Sequence, residues 1–196
     1  MSSAGDDSPI GSTHPDGRDM RPLRVRRATL ADCRAIADIY RHYVDNTVAT
    51  FDYVAPDVAA WEAKVRAVET VGRPFLVAVG EGVGADAADA PDEVVGFAYL
   101  GPFRDKAAYD QTAEDTIYIR SGTEGRGVGS KLMAELLAAA DPTNVRQIVA
   151  VIAADGGAGS IALHAKFGFD EVGRLRSVGF KHDRWVDCVY MQRAVS

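Results

Sequence analysis

Seven residues past the middle of the chain, Glu124-Gly-Arg-Gly-Val-Gly-Ser130, carry the first chemical signal. Upstream, Asp115-Thr-Ile-Tyr-Ile-Arg120 reads as a strand; downstream, Leu132, Met133, Leu136, Leu137 and Ala140 recur at helical spacing. A glycine-rich turn at a helix start aims backbone N–H groups outward, where the helix macrodipole is positive. That geometry suits a phosphate-bearing ligand, with Gly125, Arg126, Gly127, Val128, Gly129 and Ser130 as the residues to hold it.

Two familiar phosphate loops do not fit. A nucleotide P-loop needs Gly-Lys-Ser/Thr at its end, and here Gly129 is followed by Ser130 and only then by Lys131. The dinucleotide fingerprint needs its third glycine three residues after the second, whereas Gly125, Gly127 and Gly129 are spaced by two.

The elements around this turn follow from periodicity and punctuation. Leu23–Ala28 reads as a short first strand. After Thr29 and Asp32, a weak capping-box pair, Leu30, Cys33, Ile36, Ala37, Tyr40 and Val44 give a first helix. Asn46–Asp52 is polar and irregular, with Phe51 its one large apolar residue. Val58, Trp61, Val65 and Val68 give a second helix, opening near Pro56 and ending at Gly72. Phe75–Val79 is a buried strand, Gly80–Asp92 a long flexible hairpin loop, and Val94–Phe103 a strand with Gly96 as a bulge or close-approach point. Arg104–Gln111 is a polar loop with two cations, Arg104 and Lys106, and Tyr109. Beyond Asp141-Pro142 come a buried strand (Gln147–Ile152), a glycine-rich turn, a helix (Ser160–Phe167) and two last strands, Phe169–Val178 and Val186–Arg193. The order β-α-α-β-β-β-α-β-α-β-β predicts a single mixed α/β domain over residues 22–196. Residues 1–21, rich in Ser, Gly, Asp and Pro, predict a disordered leader.

Composition narrows the function. A net charge of −6 over 196 residues argues against a nucleic-acid surface, which needs clustered Lys and Arg. Cys33 and Cys188 have no metal-ligand spacing and read as buried small residues, so neither a disulfide framework nor a metal site is expected. No apolar run is long enough to span a membrane, and no secretory signal opens the chain, so a cytoplasmic protein is expected.

Several separate stretches then agree. His42-Tyr-Val44 with Thr50-Phe51-Asp52, Ala98-Tyr-Leu-Gly-Pro-Phe103 with Ala107-Ala-Tyr109, Thr112-Ala-Glu-Asp-Thr-Ile-Tyr-Ile119, Ala150-Val-Ile152, Ser160-Ile-Ala-Leu-His164 and Gly179-Phe-Lys-His-Asp-Arg-Trp-Val-Asp187 occur in order. With the glycine turn, they make residues 23–195 resemble the phosphinothricin N-acetyltransferase branch of the GNAT superfamily, which includes methionine sulfone and sulfoximine acetyltransferases. The leader and the long hairpin loop fall outside the resemblance.

The resemblance implies a GNAT fold, with a central, mostly antiparallel sheet flanked by helices. It implies acetyl transfer from acetyl-CoA to the amino group of a small amino-acid-like acceptor, by direct attack and without a metal. The amine must lose a proton before it attacks, so a base is needed. Glu114 matches the family's carboxylate base, and His164 stands where this branch carries a second acid or base. Phe51, Arg104, Lys106, Tyr109, Thr116 and Tyr118 match the acceptor pocket, with the family's usual Lys-then-Arg order swapped at 104 and 106. Ile117, Tyr118 and Ile119 would hold the pantetheine arm and the glycine turn the pyrophosphate. A homodimer is implied as well.

Two departures stand out. Glu124 lies where the family's turn has Arg or Gln, and Gly157 where it has an asparagine that binds the coenzyme A arm. Restoring Asn at 157 is expected to tighten acetyl-CoA binding. These departures also motivate the alternative of a non-catalytic acyl-CoA-binding regulator. The nearer alternative is a methionine sulfone or sulfoximine acetyltransferase with little phosphinothricin activity.

Overall fold

A computed structural model describes residues 23–80 and 93–195. The expected leader and nearly all of the expected hairpin loop lie outside these. The described residues form a seven-stranded sheet: β1 (Arg24–Arg27), β2 (Phe75–Gly80), β3 (Glu93–Pro102), β4 (Thr112–Ile119), β5 (Gln147–Ala153), β6 (Asp170–Lys181) and β7 (Arg184–Ala194). The spatial order is β1-β2-β3-β4-β5-β7-β6. Neighbours are antiparallel except β4 and β5, giving the mixed sheet expected.

Alternation along the strands sorts the core into two layers. Phe75, Val77, Phe97 and Tyr99 face α1 (Cys33–Asn46) and α2 (Val58–Thr70), and the Trp61 ring meets Tyr40 and Phe97 edge-on at 5.2 and 5.3 Å. Leu76, Ala78, Ala98, Leu100, Ile148 and Ala150 face the other way, onto α3 (Val128–Ala138), with Ile161 and Leu163 of α4 (Ala158–Lys166) at the layer's edge. Gly96 is the close-approach point: a Cβ there would sit 3.0–3.1 Å from Leu132, Val128 and the Tyr118 carbonyl. Cys33 and Cys188 are buried free thiols.

Local chemistry explains the boundaries. The Asp32 carboxylate accepts from the Thr29 N–H (2.7 Å) and hydroxyl (2.9 Å) and is forked by Arg26 at 2.7 and 2.8 Å, closing a 3₁₀ turn ahead of α1. Asp57 caps α2 by accepting from the Ala60 N–H at 2.8 Å. The β6–β7 hairpin runs further than its hydrophobic pattern indicates, pairing Lys181 with Arg184 across His182-Asp183. Both turn residues have positive φ (50° and 57°), the conformation that matches the twist of a two-residue hairpin. With no glycine there, the sequence does not mark this turn.

One feature of the sheet makes a site. β4 and β5 pair only at Thr112–Gln147, Ala113–Ile148 and Glu114–Val149. Beyond Glu114, β4 continues along β3 to Ile119 while β5 stays with β7, so the parallel strands part and leave a gap.

Candidate active site

The gap exposes one set of β4 peptide groups. The Gln111 carbonyl accepts from the Gln147 N–H on the β5 side (3.3 Å), and the Arg120 N–H donates to the Val95 carbonyl on the β3 side (2.7 Å). Peptide direction alternates along a strand, so Asp115, Ile117 and Ile119 turn their peptide groups toward the gap. The Ile119 carbonyl also accepts from the Tyr43 hydroxyl at 2.7 Å. The 116 and 118 peptides face β3 instead. Tyr118 contributes a ring, packed edge-on to Tyr40 at 5.0 Å, and its hydroxyl donates to the Ala49 carbonyl at 3.1 Å.

At the far end of β4 the glycine turn is braced from beneath. Thr123 is buried, and its hydroxyl donates to the Arg120 carbonyl at 2.6 Å. Gly125 and Gly127 have φ of 75° and 80°, a left-handed conformation that favours glycine. The N–H groups of Val128, Gly129 and Ser130 lie in the first turn of α3 and so have no intrahelical acceptor. Val128 points its side chain into the core, and Gly129 lies close to Leu163 of α4. Glu124 folds back, accepting from the Gly122 N–H at 2.7 Å. Lys166, at the end of α4, puts its ammonium 3.4 Å from the Ser130 hydroxyl and adds a cation at the start of α3. Free N–H groups, two left-handed glycines and an adjacent cation fit a pyrophosphate, and the strand gap fits an extended amide-bearing arm.

Glu114 lies half-buried at the mouth of the gap, with Gly101 as its cross-strand neighbour. Burial pushes its carboxyl pKa up and the charge of Asp115 adds to that, while Arg104 and Lys64 pull against them; the net shift is upward. Glu114 and Asp115 point to opposite faces of β4. On the second face the His164 ring is buried, its Nε2 2.9 Å from Asp115 Oδ2 and its Nδ1 2.7 Å from the Ser160 carbonyl. Burial alone would lower the imidazole pKa; the Asp115 hydrogen bond and charge, helped by the Ser160 carbonyl, outweigh it and raise the pKa. Asp115 Oδ1 is buried without a hydrogen-bond partner among the described residues.

One wall, beside Tyr118, is a loop strapped to the β6–β7 hairpin. The buried Lys181 ammonium donates to the Thr50 carbonyl at 2.8 Å, and the Tyr53 hydroxyl donates to the Phe180 carbonyl. The Phe51 ring lies over Gly179 so closely that a Cβ there would overlap it. Tyr40 donates to Asp52 at 2.8 Å and shares a 2.5 Å hydrogen bond with Thr50. The other wall follows β3. There the buried Arg73 guanidinium donates to the carbonyls of Gly101 (2.9 Å) and Asp110 (2.5 Å), the two ends of the segment carrying Arg104, Lys106 and Tyr109.

Comparison with known proteins places the chain in a family. Residues 25–190 match the acetyltransferase (GNAT) domain family. The chain belongs to the GNAT acetyltransferases. The phosphinothricin N-acetyltransferase of Alcaligenes faecalis is 36% identical over 200 residues, covering 96% of this chain and 95% of that protein. The L-methionine sulfoximine/L-methionine sulfone acetyltransferase of Pseudomonas paraeruginosa is 34% identical, covering 86% of this chain and 92% of that one. Among solved structures, a phosphinothricin acetyltransferase of Sinorhizobium meliloti in complex with acetyl-CoA superposes with a TM-score of 0.78 at 35% identity, covering 89% of each chain.

Within this GNAT fold the residues singled out from sequence fall into two groups. Glu114, Thr116 and Tyr118 share one face of β4, and Arg104 is near enough for its charge to act on Glu114. The Arg104 guanidinium lies 5.0 Å from the Phe103 ring, which Tyr109 meets edge-on at 5.7 Å. Lys106 is exposed at the cap of the 3₁₀ turn Ala107–Tyr109. His164 belongs to the other face, with both ring nitrogens engaged. Gly157 corrects an expectation: a Cβ there would overlap the Ala153 carbonyl, so asparagine cannot enter without moving the backbone. Periodicity did not single out Asp115, Arg73, Lys181 or Lys64. Only Asp115 carried a signal, as half of an acidic pair in a strand.

Proposed function

We propose that this protein is an acetyl-CoA-dependent N-acetyltransferase of small amino-acid-like acceptors of the phosphinothricin type, with Glu114 as general base. The observation that carries the reading is the half-buried Glu114, its pKa raised, at the point where β4 and β5 part. Acetyl-CoA, when bound, supplies the acyl carbon. Ile117 and Ile119 present peptide groups to its arm, and residues 125–130 with Lys166 take its pyrophosphate. Arg104, Lys106 and Tyr109 on one side, and Phe51, Thr116 and Tyr118 on the other, orient the acceptor. Its protonated amine would give a proton to Glu114 and attack the acetyl carbon directly, with no covalent enzyme intermediate. The C–S bond would break as the N–C bond forms, and coenzyme A would leave as a thiolate that takes up the proton shed by the product nitrogen. A base with a raised pKa suits this task, because its proton affinity lies nearer neutrality.

His164 enters this reading as the partner of Asp115. Its Nδ1–H donates to Ser160 and its Nε2 meets a carboxylate, so neither nitrogen is open to a substrate without breaking a buried bond. The pair fixes the face of β4 behind Glu114. The non-catalytic alternative loses support, since the Glu124 carboxylate is turned onto Gly122.

A homodimer through the β6 edge belongs to the same reading. β6 ends the sheet and exposes Val172, Leu175, Val178 and Phe180; Trp185 of β7 is exposed beside Phe180, as are Tyr53, hydrogen-bonded to the Phe180 carbonyl, and Val54 next to it in the chain. An unpaired, apolar edge strand supports pairing with a second copy. No helix among the described residues is long and apolar enough to cross a membrane.

The test is release of coenzyme A thiol from acetyl-CoA in the presence of phosphinothricin, methionine sulfone, methionine sulfoximine and the common amino acids. Acceptor-dependent release with an N-acetylated product is expected. Thermal stabilisation by acetyl-CoA with no release on any acceptor would favour the regulator and overturn the enzyme.

A further inference from the structure

The Lys64 ammonium, on α2, acts on Glu114 through its field alone and has no carboxylate within ion-pair distance among the described residues. Its position is built rather than incidental. It donates to the Tyr99 hydroxyl at 3.3 Å and lies 5.2 Å from the Trp61 ring and 5.5 Å from the Tyr99 ring. Two aromatic faces and a hydroxyl hold a cation without neutralising it.

Tyr99 ties that cation to the reaction centre. It pairs across the strands with Thr116, two residues along β4 from Glu114, so Tyr99 and Glu114 are diagonal neighbours on one face. The residue directly opposite Glu114 is Gly101, and a Cβ there would come within 3.2 Å of the Tyr99 ring. Glu114's cross-strand neighbour therefore adds no side chain between it and the Tyr99 ring. Arg104 approaches from the loop after β3, and the fields of both cations reach Glu114.

Arg104 and Lys64 come from separate elements, neither is ion-paired with a carboxylate among the described residues, and two such cations exceed what an α-amino acid's single carboxylate requires. Guanidinium forks onto a planar carboxylate, whereas an ammonium is a compact point charge suited to any oxyanion. We propose that Lys64 is a specificity-determining residue whose ammonium receives a second anionic group, on the acceptor's side chain. This rests on the acetyltransferase reading above and narrows its acceptor class. Amino acids with an anionic phosphinate or carboxylate tail are preferred over those whose tail is a neutral sulfone.

The experiment is calorimetric titration of the coenzyme A-loaded enzyme with phosphinothricin and with methionine sulfone, for wild type, Lys64→Met and Lys64→Arg. Wild type binds phosphinothricin the more tightly. Lys64→Met loses roughly tenfold or more of phosphinothricin affinity, the scale of one charged hydrogen bond, and leaves sulfone affinity and melting temperature nearly unchanged. Lys64→Arg restores most of the preference. Equal weakening for both acceptors would make Lys64 merely structural and overturn the proposal. So would an unchanged ratio, a wild-type preference for the sulfone, or failure to bind either acceptor. Thiol release is scored separately: if it occurs on these acceptors while the Lys64 variants leave the ratio untouched, the enzyme reading stands and the Lys64 proposal falls.

Discussion

His164 Nε2 and Asp115 Oδ2 face each other at 2.9 Å in a pair whose side chains are 2% and 1% exposed, directly behind the strand that carries Glu114. His164 Nδ1–H donates to the Ser160 carbonyl at 2.7 Å, which leaves Nε2 facing the carboxylate, and the hydrogen bond and charge of Asp115 favour the protonated ring against the opposing effect of burial. Removing one member of such a pair strands the other, at a cost of about 3–5 kcal/mol.

The pair gives stability a pH dependence of definite sign. His164's pKa is raised on folding, so its stabilisation is complete below the ordinary imidazole value and is lost as pH rises through the raised one. In Asp115→Asn the amide can donate to a neutral ring, which removes the reason for the raised pKa. Urea unfolding of the two proteins across this window should show wild type's advantage shrinking as pH rises. A gap constant with pH would remove the charged pair from the account.

Activity should carry a different pH signature. Burial and Asp115 raise the Glu114 pKa, so the acid limb of kcat/KM should lie above the ordinary carboxylate range. Arg104 opposes that shift, so Arg104→Gln should move the limb further up. A limb in the ordinary glutamate range, unmoved by that change, would assign the titration to another group.

Gly179→Ala tests the acceptor wall. Its methyl would overlap Phe51, and forcing extra volume into packed structure typically costs about 1–3 kcal/mol. Because Phe51 belongs to a loop separate from the glycine turn, acceptor KM should rise several-fold while acetyl-CoA affinity holds. Equal loss of both would show that the hairpin strap supports the whole fold rather than one wall.

Gly157→Asn makes a sharper contrast with expectation from the family pattern. The new Cβ would meet the Ala153 carbonyl and the Ile152 side chain. Melting temperature should fall and acetyl-CoA affinity should not improve. Tighter binding in a protein of unchanged stability would mean that α4 begins differently from the way it is described.

The fold was legible because its signals are local. The continuous apolar runs of β2 and β5, the alternation in β4, the helical spacing of α1 and α3, and Pro56 and Gly72 near the bounds of α2 each state one structure without help from tertiary contacts. The tight turn at His182-Asp183 was not, since two non-glycine residues adopt positive φ there only because the strands on either side pair. In the site, Glu114 and the glycine turn could be found from sequence, whereas Arg73, Lys181 and Lys64 could not. Each acts on a partner 28 or more residues away, as Arg73 does on Gly101, Lys64 on Tyr99 and Lys181 on Thr50. Spacing along the chain carries no trace of such contacts.

The most direct test of the central claim is Glu114→Gln, assayed for turnover beside wild type with acetyl-CoA affinity measured on the same preparations. The account predicts turnover reduced by about two orders of magnitude or more with acetyl-CoA affinity nearly unchanged, because a base acts on the proton and not on the cofactor. Near wild-type turnover would contradict it and place the base elsewhere.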